Sequence, residues 1–191
     1  MFNLIKRKKM KKILMTIAAA FVAVTMNAQV FVGGSVGVAS IKNGNADAET
    51  TYKFVPEIGY NINDELAVGV TVGYQQGACS LLSGTYAQDV TTKAFTISPY
   101  ARYTVVSSNL VNVFVDGGVG FGSYKDLGTE FSIGLKPGVA LKLNDNLSFV
   151  THFGFVGYST FNPDTDGIDN SNAVGVDFDQ NNLTFGLYWN F

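Results

Sequence analysis

The chain has 191 residues, of which 47% are hydrophobic and 15% are charged, and its formal net charge is −2 at pH 7. This length fits one domain, and beyond the first thirty residues no apolar run is long enough to span a membrane as a helix. The acidic balance argues against a nucleic-acid partner, and because Cys79 is the single cysteine, no internal disulfide can form.

The first 28 residues are typical of a secretory signal peptide. Six basic residues precede the apolar segment 13–25, and the small residue Ala28 stands before the expected cleavage point. A membrane anchor is the alternative, but the apolar run is short and a strand pattern begins at Val30. Cleavage would remove six of the 13 basic residues and none of the 15 acidic ones, leaving a net charge of about −8 on the domain 29–191.

The remaining sequence alternates between apolar and polar residues in eight segments separated by turn signals. A period of two predicts β-strands. Each segment is long enough for a tilted strand that crosses a membrane, which needs roughly 9–11 residues. The predicted strands are 30–40, 51–62, 66–76, 92–106, 111–124, 129–143, 147–160 and 182–191.

The connections between these segments alternate in length. Three are tight turns, and the others are longer: the turns are 63–65, 107–110 and 144–146, and the longer connections are 41–50, 77–91, 125–128 and 161–181. Short turns on one rim and longer loops on the other are typical of outer-membrane barrels. We therefore expect an all-β fold, an eight-stranded antiparallel up-and-down transmembrane β-barrel.

One parity of the strands is apolar, from Val30 through Val68 to Phe153 and Phe155, and we expect it to face lipid. The other parity is small, polar or charged, and its glycines leave room in the lumen for larger side chains: Tyr100, Arg102, Phe114, Tyr158 and Tyr188. A soluble secreted β-barrel that binds a small ligand is the alternative, because alternation alone does not fix which face is buried. The polar face, however, carries fewer charges than the roughly 25–35% of a soluble surface, and aromatic residues cluster near both strand ends.

Four charged residues of the inner parity are expected to form a lumen charge cluster: Glu57, Arg102, Asp116 and Lys136. Arg102 and Asp116 lie almost symmetrically about the turn 107–110, so they should face each other on neighbouring strands. Turning them toward lipid would cost about 2–4 kcal/mol for each basic group at the midplane. The cluster is interpreted either as a structural plug of paired buried charges or as a gate in a narrow conduit.

No residue pattern indicates a catalytic site, a cofactor or a metal. His152 is the single histidine and has the inner parity, which is more typical of a hydrogen-bonded interior group than of a catalytic base. The spacing of aspartates in the segment 162–180 is similar to that of a calcium-binding loop. However, Ile168 and Asp169 occupy the positions where an EF-hand needs an oxygen ligand and a glycine. We interpret the segment as a solvated acidic loop.

Several segments resemble the small outer-membrane β-barrel family, whose members are labelled porin-family or OmpA/OmpX-like proteins. They are FVPEIGYNINDELAVGVTVGY (54–74), ISPYARY (97–103), LKPGVALKLNDNLSF (135–149) and LTFGLYWNF (183–191), and the signal ending NAQ resembles those of Bacteroidetes. The resemblance covers residues 29–191. Because strand patterns carry it, it is specific for the fold and weak for the function.

The resemblance implies a location in the outer membrane of a Gram-negative cell, with both termini in the periplasm and the outer face against lipid and lipopolysaccharide. It also implies insertion by the barrel-assembly machinery, which reads an aromatic terminal strand, here Tyr188, Trp189 and Phe191. No peptidoglycan-binding domain is expected after the eighth strand.

The function that we expect from these observations is non-enzymatic. The barrel would stabilise the outer membrane and present loops 77–91 and 161–181 to an extracellular ligand or a host surface. One alternative is a narrow channel for ions or very small solutes. A lipid-modifying barrel enzyme is a further alternative, although the sequence offers no convincing Ser-His-acid set.

Overall fold

The computed structural model describes residues 29–41, 49–76, 79–80, 85–86, 93–165, 167, 169–178 and 184–191. The segment 1–28, interpreted above as a signal peptide, lies outside the described residues, as do parts of the connections 41–50, 77–91 and 161–181. Among the described residues, no helix is long and apolar enough to cross a membrane.

The described part of the chain is built from β-strands of two to 15 residues. Seven of the eight predicted strands are present as single strands whose ends lie within two residues of the prediction, and the predicted strand 147–160 is divided in two. The strands are β1 (Val30–Ile41), β2 (Glu49–Asn61), β3 (Leu66–Gln76), β4 (Cys79–Ser80), β5 (Thr85–Tyr86), β6 (Lys93–Ser107), β7 (Val111–Tyr124), β8 (Gly128–Lys142), β9 (Leu147–His152), β10 (Phe155–Pro163), β11 (Ser171–Asp177) and β12 (Thr184–Asn190).

Eight of the described strands form a closed antiparallel barrel. Neighbours pair in the order β1, β2, β3, β6, β7, β8, β9 and β12. The last strand then pairs with the first, from Phe31 opposite Asn190 to Gly34 opposite Leu187. The predicted fold class is confirmed.

The predicted seventh strand contains an extra residue at its middle. Gly138 on β8 pairs with His152, but Leu135 pairs with Val156, so three steps along β8 correspond to four along β9 and β10. Gly154 lies at this bulge with φ of +78°. One inserted residue reverses which side chains face inward beyond it.

This bulge overturns two predicted orientations. Phe155, predicted to face lipid, lines the lumen. Tyr158, predicted to lie in the lumen, points outward and donates a hydrogen bond of 2.8 Å to Asn172 Oδ1. Asn172 belongs to β11, which lies within the segment 161–181 that was predicted to be a loop and pairs with residues 155–161 of β10.

The sidedness of the strands before the bulge agrees with the prediction, except that Val30, predicted to face lipid, is only 4% exposed. Val68 is 41% exposed on the outer surface, whereas Arg102 and Asp116 are 9% and 6% exposed inside. Other large apolar residues exposed on the outside include Phe54, Phe95, Tyr103, Phe121, Ile133 and Leu187. Such an apolar outer band around a polar interior is what a barrel in a lipid bilayer requires.

Four inward-facing aromatic rings each lie on a glycine that is directly opposite on a neighbouring strand. The pairs are Phe31 with Gly59, Tyr100 with Gly69, Phe114 with Gly138, and Tyr188 with Gly33. A Cβ atom at any of these glycines would come within 2.1–2.5 Å of the ring or its hydroxyl. The glycines are therefore needed for close approach, and the rings fill the lumen on the side of the short turns.

Candidate functional site

The centre of the lumen is an ion pair between Arg102 on β6 and Asp116 on β7, which are direct register partners. Arg102 Nε donates to Asp116 Oδ1 at 2.7 Å, and Nη2 donates to Oδ2 at 2.8 Å. The two side chains are only 10% and 8% exposed. This bidentate geometry is stronger than a single hydrogen bond between an arginine and a carboxylate.

Glu57 on β2 brings a second carboxylate to the same guanidinium. Its Oε1 lies 3.5 Å from Arg102 Nη2. Tyr100 donates its hydroxyl to Glu57 Oε1, and Tyr188 donates its hydroxyl to Oε2. Since one guanidinium faces two carboxylates, the tyrosine hydroxyls supply hydrogen bonds that a buried negative charge needs.

His152 on β9 completes this cluster. Its Nε2 lies 2.8 Å from Asp116 Oδ2 and 3.4 Å from Arg102 Nη2. The imidazole also packs edge-on against the Phe114 ring, with centroids 5.3 Å apart. Among the described residues, no serine or threonine hydroxyl is hydrogen-bonded to His152, so its contacts are those of an interior ionic network.

Aromatic rings surround the guanidinium of Arg102. Its Cζ lies 3.9 Å from the centroid of Phe114 and 5.3 Å from that of Tyr100. The centroids of Phe31 and Tyr188 are each 5.6 Å away. These are the four rings that lie on glycines, so the glycine positions allow the rings to close around a buried cation, where cation–π attraction contributes about 0.5–2 kcal/mol.

Lys136, the fourth residue of the predicted cluster, lies in the lumen but apart from the other three. It is the register partner of Asp116, yet no ion pair joins it to any residue that the structure describes. Both oxygens of Asp116 are already engaged by Arg102 and His152. The Lys136 ammonium lies instead 5.8 Å from the centroid of Phe155, the ring that the Gly154 bulge turns inward.

The structure also assigns members of the cluster that the sequence did not indicate. Sequence analysis placed Tyr100, Tyr188 and His152 on the inner face, but it gave no sign that they bond to Glu57 or Asp116. Tyr188 was identified through its position in the terminal strand. Its neighbour Trp189 points outward at 44% exposed, and the Phe191 amide donates to the Val30 carbonyl at 3.0 Å.

The cluster divides the lumen into two halves. On the side of the short turns, Phe31, Ala67, Phe114, Val150 and Tyr188 pack into a buried apolar core. On the side of the long connections lies a cavity of about 520 Å³ whose floor includes Glu57, Asp116 and His152. The geometry is therefore a cup that is open toward the long connections and closed below by paired charges.

Comparison with known proteins gives a family and a fold. The model of the family described as outer membrane protein beta-barrel domain matches residues 13–191. No curated protein matches the sequence.

The solved structures that are similar to the chain include a surface protein and an outer membrane protein. The crystal structure of Neisserial surface protein A (NspA) has a TM-score of 0.51 and 16% identity, covering 85% of this chain and 95% of that one. The NMR solution structure of the E. coli outer membrane protein W has a TM-score of 0.47 and 12% identity, covering 85% and 97%. Because the identity to NspA is 16%, this similarity shows a shared fold and carries no statement about function.

Proposed function

Since the chain belongs to the family of the outer membrane protein beta-barrel domain, we propose that it is a non-enzymatic barrel that stabilises the outer membrane. In this proposal the long connections 77–91 and 161–181 face the outside of the cell, where they are available to an extracellular ligand or a host surface. The outer apolar band contacts membrane lipid and lipopolysaccharide.

The observation that carries this proposal is the closure of the lumen. Arg102 bonds to Asp116 with two hydrogen bonds, contacts Glu57 at 3.5 Å and is enclosed by four aromatic rings. The half of the lumen below it is filled by apolar side chains. A permeating ion would have to break this network, which supports a structural plug over a conducting channel.

Planar-bilayer recording tests the sealed lumen. The unaltered protein should show no steady conductance, while Arg102→Ala should produce current because it removes the side chain that links both carboxylates. Lys125→Ala is the matched control, since Lys125 is a cation with a 67% exposed side chain in the connection above the cavity. Steady channels in the unaltered protein, altered by Arg102→Ala, would instead favour the narrow-channel alternative.

We also propose that both chain ends face the periplasm. Gln29 and Phe191 lie beside the short turns: the Asn61 amide donates to the Gln29 carbonyl at 2.6 Å, and the Asn190 amide donates to the Asn146 carbonyl at 2.7 Å. Cell fractionation with heat-modifiable gel mobility tests the membrane barrel. An epitope inserted in 77–91 should be labelled on intact cells, whereas one appended after Phe191 should not.

A lipid-modifying activity has less support from the site. His152 points into the lumen and bonds to Asp116 and Arg102, whereas an enzyme acting on membrane lipid needs its catalytic groups open to the outer leaflet. Incubation with lipopolysaccharide followed by mass analysis is the direct test. An altered lipid mass that depends on His152 would contradict the non-enzymatic proposal.

A further inference from the structure

We propose that the cavity above the charge cluster binds a small soluble anion bearing carboxylate or phosphate groups, held between Lys53 and Lys136. Both lysines line the cavity. This inference goes beyond the proposed structural function. It rests on that proposal in one respect: the lumen is closed below the cavity, so a ligand would be bound there and would not pass through.

The two lysines lie on opposite walls of the barrel. Lys53 is on β2 and Lys136 is on β8, and these strands are four steps apart around the ring of eight. Both side chains belong to the lining of this one cavity, so they approach the same space from opposite sides. Two like charges that converge across a narrow lumen repel each other, and an anion between them would turn this repulsion into two attractions.

The acidic groups of the same cavity already have partners. Glu57 accepts hydrogen bonds from Tyr100 and Tyr188, and Asp116 is bound by Arg102 and His152.

Glu130, on the cavity wall, accepts a hydrogen bond of 2.6 Å from the Tyr124 hydroxyl. By contrast, neither Lys53 nor Lys136 forms an ion pair within the part of the chain that the structure describes. Among the described residues that line the cavity, these two lysines are therefore the charged side chains without a hydrogen-bonding or ionic partner.

The walls and the size of the cavity suit such a ligand. Hydroxyl groups of Thr96, Ser98 and Ser132 also line the cavity and can donate hydrogen bonds to oxyanions, whereas the Thr71 hydroxyl already donates to Glu57 at 3.5 Å. A volume of about 520 Å³ lies in the range of small-molecule sites. Lys136 is further positioned by the Phe155 ring, which the bulge at Gly154 turns into the lumen.

Binding to the purified full barrel in a zwitterionic detergent tests the proposal. Inorganic phosphate and succinate are the soluble probes, titrated by calorimetry, and short-chain phosphatidic acid represents a lipid headgroup. We expect saturable binding of a soluble probe that weakens by about tenfold or more in Lys53→Gln and in Lys136→Gln. Lys125→Gln, which removes a cation from the rim outside the cavity, should leave the affinity unchanged.

Variants that conserve the charge separate a binding defect from a folding defect. Lys53→Arg and Lys136→Arg should keep most of the affinity, and heat-modifiable mobility should show that every variant forms the barrel. Absence of binding by phosphate and succinate, or binding that survives the double glutamine variant, would overturn the proposal, as would binding of the lipid alone. Conductance is measured separately, so a conducting barrel would contradict the structural function without deciding this one.

Discussion

The hydroxyl of Tyr188, on the last strand, donates a hydrogen bond to the carboxylate of Glu57, which lies 131 residues earlier in the chain. Tyr188 belongs to β12 and Glu57 to β2, so the bond reaches across β1, at the place where the barrel closes. The Tyr188 ring also stacks on Phe31 of β1, with centroids 5.8 Å apart. Closure of the barrel and completion of the charge cluster thus depend on the same side chain.

Replacing Tyr188 by phenylalanine should destabilise the barrel. The ring would still cover Gly33, but the Glu57 carboxylate would lose one buried donor, and a hydrogen bond to a charged group contributes about 1.5–3 kcal/mol. The urea midpoint of unfolding in lipid vesicles measures the effect. Tyr158→Phe is the control because the Tyr158 hydroxyl bonds to Asn172 on the exposed side of β10, and equal losses in both variants would contradict a special role for Tyr188.

Removing Arg102 should cost more than removing any hydroxyl of the cluster. Arg102→Ala leaves Asp116 and Glu57 buried without their cation, and breaking a buried pair in this way costs about 3–5 kcal/mol. The same pair can be tested with the unaltered protein, Arg102→Leu, Asp116→Leu and the double variant that carries both changes. The double variant also removes the unpaired Asp116 charge, so it should be more stable than the sum of the losses in the two single variants predicts. Equilibrium unfolding of the four proteins gives the coupling energy, and strict additivity would show that the pair is energetically unimportant.

The sequence was sufficient to predict the barrel and the ion pair at its centre. Alternation with a period of two predicts the strands, and the symmetry of Arg102 and Asp116 about the turn 107–110 predicts their register. Both depend on local spacing, which a single sequence records directly. The sidedness follows as well, because placing the charged parity in lipid is energetically costly.

The bulge at Gly154 was not predictable for a physical reason. The chain contains 21 glycines, and nothing in the local sequence distinguishes the one whose φ of +78° inserts a residue into the strand. The orientations predicted for Phe155 and Tyr158, which follow the bulge in the same strand, were therefore reversed. The separation of Lys136 from the cluster was not predictable either, because it follows from Arg102 and His152 occupying both oxygens of Asp116.

Alanine at Gly138 should disturb the packing around the buried guanidinium. A Cβ atom there would lie 2.4 Å from Phe114 Cζ, so the ring must move, and overpacking of this kind costs about 1–3 kcal/mol. Gly175→Ala on β11 is the control because no atom lies within 4 Å of its Cβ position. Unfolding in urea should shift for Gly138→Ala alone, and Phe114→Leu in the same chain should restore part of the loss.

Substitutions at two glycines with similar positive φ can distinguish the cost of backbone strain from the cost of steric contact. Gly154 and Gly167 have φ of +78° and +85°, but a Cβ at Gly154 would meet Phe178 Cδ1 at 2.2 Å whereas one at Gly167 would meet nothing within 4 Å. Alanine at Gly167 should therefore cost about 1–2 kcal/mol from the left-handed backbone alone. Alanine at Gly154 should cost more, and equal shifts in the urea midpoint would show that the contact with Phe178 is unimportant.

The terminal aromatic residue is expected to matter for assembly more than for final stability. Phe191 contributes one backbone hydrogen bond, from its amide to the Val30 carbonyl at 3.0 Å, and Phe191→Ala retains that bond. If the barrel-assembly machinery reads this side chain, Phe191→Ala should lower the amount of folded protein in the outer membrane of cells, while refolding of the purified chain into detergent proceeds as before. Leu187→Ala provides the control, because it removes another outward apolar side chain of β12 without altering the terminus. Equal defects in cells and in detergent would indicate lost packing and contradict a recognition role.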